Sequence, residues 1–318
     1  NIERERDVIL REMQEVDSQM EEAIFDKLHE TAYRDCMLGK TILGPAENVR
    51  SITRDQIVDY VSTFYTGPRM VLAGAGAVDH QQLVDLSGKF LGGVPSVGKK
   101  PIQLEPAAFV GSDIRERNDD MDAIHLTYAF PTAGWNDADT FVLSVMQFMI
   151  GNWEVKQSGG QYNLCRMASF TAATELASKI QTFNTEYSDT GLFGVYAVAR
   201  PEGIEELMYE ITRAFTNLAY NVDSVLLNSA KNTLKSLLLA PDGSGPACEE
   251  IGRQVLLYGR RMHPTEIAAR IDAVDDNAVR NAAMRYFYDR DHALAAVGPI
   301  FELPDYDWIR RKSYWLRY

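Results

Sequence analysis

With 318 residues, 46% of them hydrophobic, the chain can bury a sizeable core and is long enough for two domains. Its net charge of −13 and pI near 4.9 exclude nucleic acid as the main partner, because phosphate binding needs a basic surface. The same acidity suits a protein that handles cationic peptides. Three widely spaced cysteines, Cys36, Cys165 and Cys248, form no CxxC pair and point to free thiols in a reducing compartment. The longest apolar run, around Phe141–Ile150, is too short to cross a bilayer.

In chain order, residues 1–33 read as one long amphipathic helix. Val8, Glu12 and Val16 fall on a single stripe, with Ile9, Met13, Met20 and Ile24 beside it, while Glu15, Glu21 and Glu22 point elsewhere. Glu5 shares the stripe two turns before Glu12. A carboxylate flanked by valines is desolvated unless it finds a cation or a donor, so Glu12 is either a metal ligand or half of a buried ion pair. The chain opens on Asn1 partway into this helix, and the expectation is that preceding sequence is missing, since such a helix needs neighbours to pack against.

Thr53 is placed to cap a second helix running to Tyr65, and Arg69–Gly76 reads as an apolar strand bounded by glycines. Asp79 caps a short helix to Phe90. From Gly92 to Pro106 the composition turns to Gly, Pro, Ser and Lys, as in a linker. Ser112–Asn118 and Ala123–Phe130 then read as strands, Asp137 or Asp139 caps a helix through Ile150, and residues 152–163 form a polar loop. Ile180–Glu186 and Leu192–Ala199 form a hairpin around Ser188-Asp-Thr-Gly. Four or five helices follow from Gly203 to Tyr288, and His292–Val297 closes as a strand. The pattern predicts an α+β fold with helices on one face of a mostly antiparallel sheet. Residues 1–93, with a single strand, look like the back part of a similar domain, residues 94–111 the linker, and residues 112–318 a second domain.

Several motifs carry little chemistry. Gly74-Ala-Gly76 would place Asp79 at the third glycine of a dinucleotide fingerprint, and Gly39-Lys40-Thr41 has Arg34 where a phosphate loop needs glycine, so both read as turns. His29, His80, His125, His263 and His292 lack the spacing that pairs imidazoles on one helix face for zinc. His125, inside an apolar strand, reads as a core or sheet-face residue. No GxSxG elbow supports a serine hydrolase. The ending Trp308–Tyr318 mixes aromatic and basic residues, which suits docking on a partner or a membrane-facing surface, or covering its own core.

Glu3-Arg-Glu-Arg-Asp-Val-Ile-Leu-Arg-Glu-Met-Gln-Glu-Val16 resembles the segment that follows HxxEH in the pitrilysin-type (M16) metallopeptidases. Leu38–Pro45, Val71–His80, Gly151-Asn-Trp153, Tyr187–Gly194, Glu250–Val255, Leu303–Tyr306 and Tyr314–Tyr318 are similar to the same family, on its processing-peptidase β and bc1 core 1 side. The resemblance implies two homologous M16-type domains, the first only partly present here, with Glu12 at the third zinc ligand position and Glu5 as a supporting acidic residue. It implies Zn2+ as cofactor, with two histidine ligands and the general-base glutamate of HxxEH absent from this chain. It further implies an α/core 2-type partner, other bc1 subunits and basic presequence peptides as partners, and membrane contact only through partner subunits. The implied place is the matrix side of the mitochondrial inner membrane, and the rival reading is a structural core subunit that has lost zinc.

Overall fold

The computed structural model describes residues 2–157, 159–238 and 243–315, the side chain of Asp17 excepted. The chain begins with α1 (Ile2–Ser18) and α2 (Met20–Ala32), followed by α3 (Ala46–Ser51), α4 (Arg54–Phe64) and α5 (His80–Leu91). Then come β1 (Ser112–Arg117), β2 (Ile124–Thr132), α6 (Thr140–Ile150), the two-residue β3 (Trp153–Glu154), α7 (Arg166–Thr174), β4 (Ala177–Glu186) and β5 (Gly191–Ala199). A helical block follows: α8 (Ile204–Leu218), α9 (Ser224–Leu238), α10 (Ser244–Tyr258), α11 (Pro264–Asp272) and α12 (Asp276–Tyr286). The last elements are β6 (Ala293–Gly298) and α13 (Tyr306–Arg311).

The strands form one sheet in the order β1-β6-β2-β5-β4-β3, antiparallel throughout except for the β1/β6 pair. The closing strand β6 therefore enters between β1 and β2, which are separated in the sheet although adjacent in sequence. The β4–β5 hairpin forms where the Ser188-Asp-Thr turn signal places it, with Glu186 opposite Gly191. Gly194 lies mid-strand because a Cβ there would meet the Tyr128 carbonyl oxygen at 2.3 Å.

β5 and β6 are buried on both faces and so read as continuous apolar runs rather than alternating ones. Their two residue sets go to different cores. Phe193, Val195, Leu294 and Ala296 join Leu126, Tyr128 and Phe130 of β2 against the helical block, where Phe130, Phe193, Phe215 and Phe287 form an aromatic knot with ring centroids 5.0–5.9 Å apart. Leu192, Tyr196, Ala293, Ala295 and Val297 face the other way, against Ile24, Leu28, Ala32 and Tyr33 of the α2 segment. The sheet is thus covered on both faces, not on one. The apolar parity of β5 and β6 requires it.

Two other expectations need correction. The long helix over residues 1–33 is two helices, because Gln19 leaves the helical region at φ −95°, ψ 94° and caps α2. Arg69–Gly76 forms no strand: Val71 and Leu72 are exposed, and among the described residues no sheet edge lies beside them to pair their backbone groups. The caps fare better. Thr53 forms a full capping box with Gln56, and the Asp79 carboxylate accepts from the Gln82 N–H at 2.7 Å. Asp139 holds the cap position of α6, but its carboxylate accepts from Arg285 and Tyr286 instead of the first turn. The loop over residues 152–163 contains the short edge strand β3, and α3, α7 and α13 lie outside the sequence-derived elements.

The described part of the ending covers its own core. Ile309 is buried, Trp315 stacks on Tyr220 at 4.5 Å, and Lys312 lies over the Trp308 ring, whereas residues 316–318 fall outside the described part. Just before it, His292 is fully buried, stacked on Tyr306 at 4.2 Å, and neither ring nitrogen has a partner among the described residues. Burial, with Arg310 adding to it, pushes its pKa down to about 3. The unfolded chain takes up this proton below about pH 6.5 while the folded chain resists until about pH 3, so stability is lost as pH falls through that window. A His292→Phe protein should lose less stability between about pH 6.5 and 4 than the unchanged protein, by up to about 1.4 kcal/mol per pH unit. Parallel chemical unfolding curves across that range measure it, and identical slopes for the two proteins contradict it.

Candidate functional site

α1 stands on α3 through one side chain. Arg6 donates from Nε to the Val49 carbonyl and from Nη2 to the Ile52 carbonyl, both at 2.8 Å, so its guanidinium satisfies oxygens left open at the end of α3. α2 is fixed more firmly. Ile24, Leu28 and Ala32 are buried on the sheet, each large side chain contributing about 1.5–3 kcal/mol. His29 hydrogen-bonds the Tyr187 hydroxyl on the β4–β5 turn, with its other ring nitrogen 2.7 Å from the Phe25 carbonyl. Tyr33 donates to the Gly191 carbonyl at 3.2 Å, and Lys179 and Lys27 pair with Glu21 and Glu116 across the same interface. Gly39 closes the segment where no Cβ fits, since one would lie 2.2 Å from the Tyr33 carbonyl oxygen.

The bend at Gln19 opens a cleft of about 570 Å³ between the two helices and the loop after them. Its walls carry the carboxylates of Glu12, Glu15, Glu22 and Asp26, and its apolar part comes from Val16, Phe25, Ile42 and Leu43. Among the described residues no lysine or arginine forms an ion pair with Glu12, Glu15 or Glu22, so negative charge is concentrated there.

Glu12 is exposed, not desolvated: Val8 and Val16 are half-buried on either side while its carboxylate reaches the open cleft. Among the described residues Glu12 has no buried ion pair. Glu5 is also exposed and lies outside the cleft lining, about 10 Å along the helix axis. Glu15 and Glu22, expected to point elsewhere, line the cleft with Glu12, whereas Glu21 does turn away to Lys179. The signal was present: residues 12, 15, 19, 22 and 26 follow a 3-4-3-4 spacing, which keeps them on one side even across the bend.

No histidine joins the stripe. His29 is engaged with Tyr187, His125 lies 2.9 Å from the Tyr196 hydroxyl on the sheet, His263 caps α11, His292 is buried, and His80 opens α5. Among the described residues no group of three His, Cys, Asp or Glu could hold a metal ion. Glu12 fits the part of one zinc ligand, being unpaired, exposed and carried on a helix, but these residues do not complete a zinc site. Nor is any described helix long and apolar enough to cross a membrane.

Residues 51–234 match the profile of the peptidase M16 inactive domain, and residues 1–46 that of insulinase (peptidase family M16). The chain belongs to peptidase family M16. It is 48% identical to a probable mitochondrial-processing peptidase subunit beta of Arabidopsis thaliana, over 100% of this chain and 60% of that protein. The human mitochondrial-processing peptidase subunit beta is 45% identical over 99% of this chain and 65% of its own length. Cytochrome b-c1 complex subunit 1 of Mus musculus is 41% identical over 100% and 67%. The chain thus spans about three fifths to two thirds of the curated relatives it matches. Among solved structures, a chain of complex III2 from Candida albicans superposes with a TM-score of 0.89 at 20% identity, covering 98% of this chain and 74% of that one. That likeness establishes the shared fold.

Within the M16 chain, Glu12 and the whole acidic cleft lie in the part matching the insulinase profile. Because Glu12 has no ion pair among the described residues and is exposed, Glu12→Gln should shift Tm by less than about 2 °C. Leu28→Ala, which opens the α2 contact with the sheet, should cost about 2–5 kcal/mol in the same thermal and denaturant melts. A large destabilisation by Glu12→Gln would give that residue a structural role instead.

Proposed function

We propose that this chain is part of a β/core 1-type M16 subunit of mitochondrial complex III that also removes basic presequences from imported proteins. The observation that carries the reading is the acidic stripe: an unpaired Glu12 sharing one cleft with Glu15, Glu22 and Asp26. Similarity to both processing-peptidase β subunits and cytochrome b-c1 complex subunit 1 supports the dual assignment. In this reading residues 1–93 are the back part of a first M16 domain, residues 94–111 its linker, and residues 112–318 the second domain. The exposed apolar side chains of Val58, Tyr60, Val61, Leu86 and Phe90 support a covering partner layer for the first.

The chemistry divides between this chain and residues of the full protein that it lacks. Zinc bound at Glu12, with two histidines of an HxxEH element, would polarise the scissile carbonyl and activate water. The residues present here do the positioning. The carboxylates attract an arginine- or lysine-bearing peptide, and Val16, Phe25, Ile42 and Leu43 accept its apolar side chains. Glu5, exposed two turns before Glu12 on the same stripe, adds to the negative field. The subunit would work with an α/core 2-type partner and other bc1 subunits on the matrix side of the inner membrane, reaching the bilayer through those partners.

The test is the full-length protein co-expressed with its α/core 2-type partner, assayed for zinc content and for cleavage of a basic presequence peptide. Glu12→Gln should lower zinc affinity and cleavage by more than the roughly 10–100-fold that outer partners of a metal ligand cost. Stoichiometric zinc and full cleavage in that variant would remove Glu12 from the site. An unchanged full-length protein without zinc or cleavage that still assembles into complex III would establish the structural core subunit instead.

A further inference from the structure

On the helical face of the sheet, away from the acidic cleft, a cavity of about 330 Å³ opens between α6, α9 and α10 at the end of β4. Its walls are largely apolar, with Phe141, Phe148, Leu234, Leu257 and Tyr258 among them. Two polar residues from β4 line it, Asn184 and Glu186. Asn184 gives its amide N–H to Glu186 Oε1 at 3.2 Å, which leaves Asn184 Oδ1 buried with no partner. Glu186 has no basic partner within ion-pair distance among the described residues. A carboxylate in an apolar cavity is costly until a donor arrives, and a positively charged donor offsets that cost most fully.

We propose that this cavity binds an organic cation: a primary ammonium or guanidinium group on a compact apolar body, its charge on the Glu186 carboxylate. The aromatic walls suit the apolar body, and Phe148 and Tyr258 add faces that favour a cation near them, the Phe141 ring already carrying Arg270 at 5.8 Å. The site belongs to the second half of the chain and uses none of the residues of the acidic cleft.

Other charges around the cavity set its pH response. From α10, Glu250 accepts from Gln254 at 3.0 Å, and Arg253 is exposed without an ion pair among the described residues. Tyr258 is raised by burial and by Glu186, and Arg270 of α11 is held by Glu266. Burial pushes the Glu186 carboxyl up to about 7, against the Asn184 hydrogen bond that lowers it. Folding alone therefore leaves Glu186 partly protonated at neutral pH, and a bound cation favours its ionised form.

The probe is phenethylamine, protonated throughout the range used, titrated into the intact chain by calorimetry, with 2-phenylethanol as its uncharged counterpart. Saturable binding of the amine is expected at about pH 8, weakened roughly tenfold at about pH 6 as Glu186 takes up its proton. The alcohol should bind at least about tenfold more weakly at the higher pH. Glu186→Gln keeps an oxygen to accept from Asn184 and should abolish both the pH dependence and the preference for the amine. Equal binding of amine and alcohol by the unchanged protein overturns the proposal, and that comparison stands even if the variant fails to fold. So does the absence of saturation by the amine, or unchanged amine binding by a folded Glu186→Gln protein.

Discussion

The rest of the structure depends on the burial of one apolar helix stripe. Ile24, Leu28, Ala32 and Tyr33 cover the face of the sheet that the helical block leaves open, and without them Leu192, Tyr196, Ala293, Ala295 and Val297 would meet water. At about 1.5–3 kcal/mol for each large side chain, this contact far outweighs the surface ion pairs Lys179–Glu21 and Lys27–Glu116 at its rim. The Tyr187–His29 hydrogen bond fixes the orientation of α2, while the apolar stripe supplies the stability. Once α2 is seated, the bend at Gln19 and the Arg6 anchor on α3 set where α1 can go, and with it Glu12.

That arrangement separates support from chemistry along a single helix pair. The face of α2 turned to the sheet is apolar and closely packed, whereas the opposite stripe from Glu12 to Asp26 is acidic and lines open space. Glu12, Glu15 and Glu22 remain exposed and hydrated, so their negative charge costs the fold little. In the proposed reading, a basic peptide entering the cleft would meet that charge as it binds. Charge attraction can thus contribute to recognition at little cost to the fold.

Much of this was legible in the sequence, and the exceptions have physical causes. The caps at Thr53 and Asp79 and the turn at Ser188-Asp-Thr are local chemistry, so the sequence locates them within a residue or two. The β6 strand was equally plain, but not its insertion between β1 and β2, because pairing order is a tertiary property. Val71 and Leu72 carry the composition of a strand, but none of the described strands lies beside them to pair their backbone groups. Gln19 offers no glycine or proline to mark the end of α1, and the stripe was read as one unbroken helix. Glu12 is exposed although half-buried valines flank it, since flanking valines show which way a side chain starts but not what covers it.

Glu12 as a zinc ligand is the central claim, and anomalous diffraction at the zinc edge from crystals of the full-length protein with its α/core 2-type partner tests it most directly. The expected result is a single strong peak within about 2.0–2.2 Å of a Glu12 carboxylate oxygen. A structure with Glu12 in an ion pair with an arginine and the zinc peak elsewhere would contradict the account.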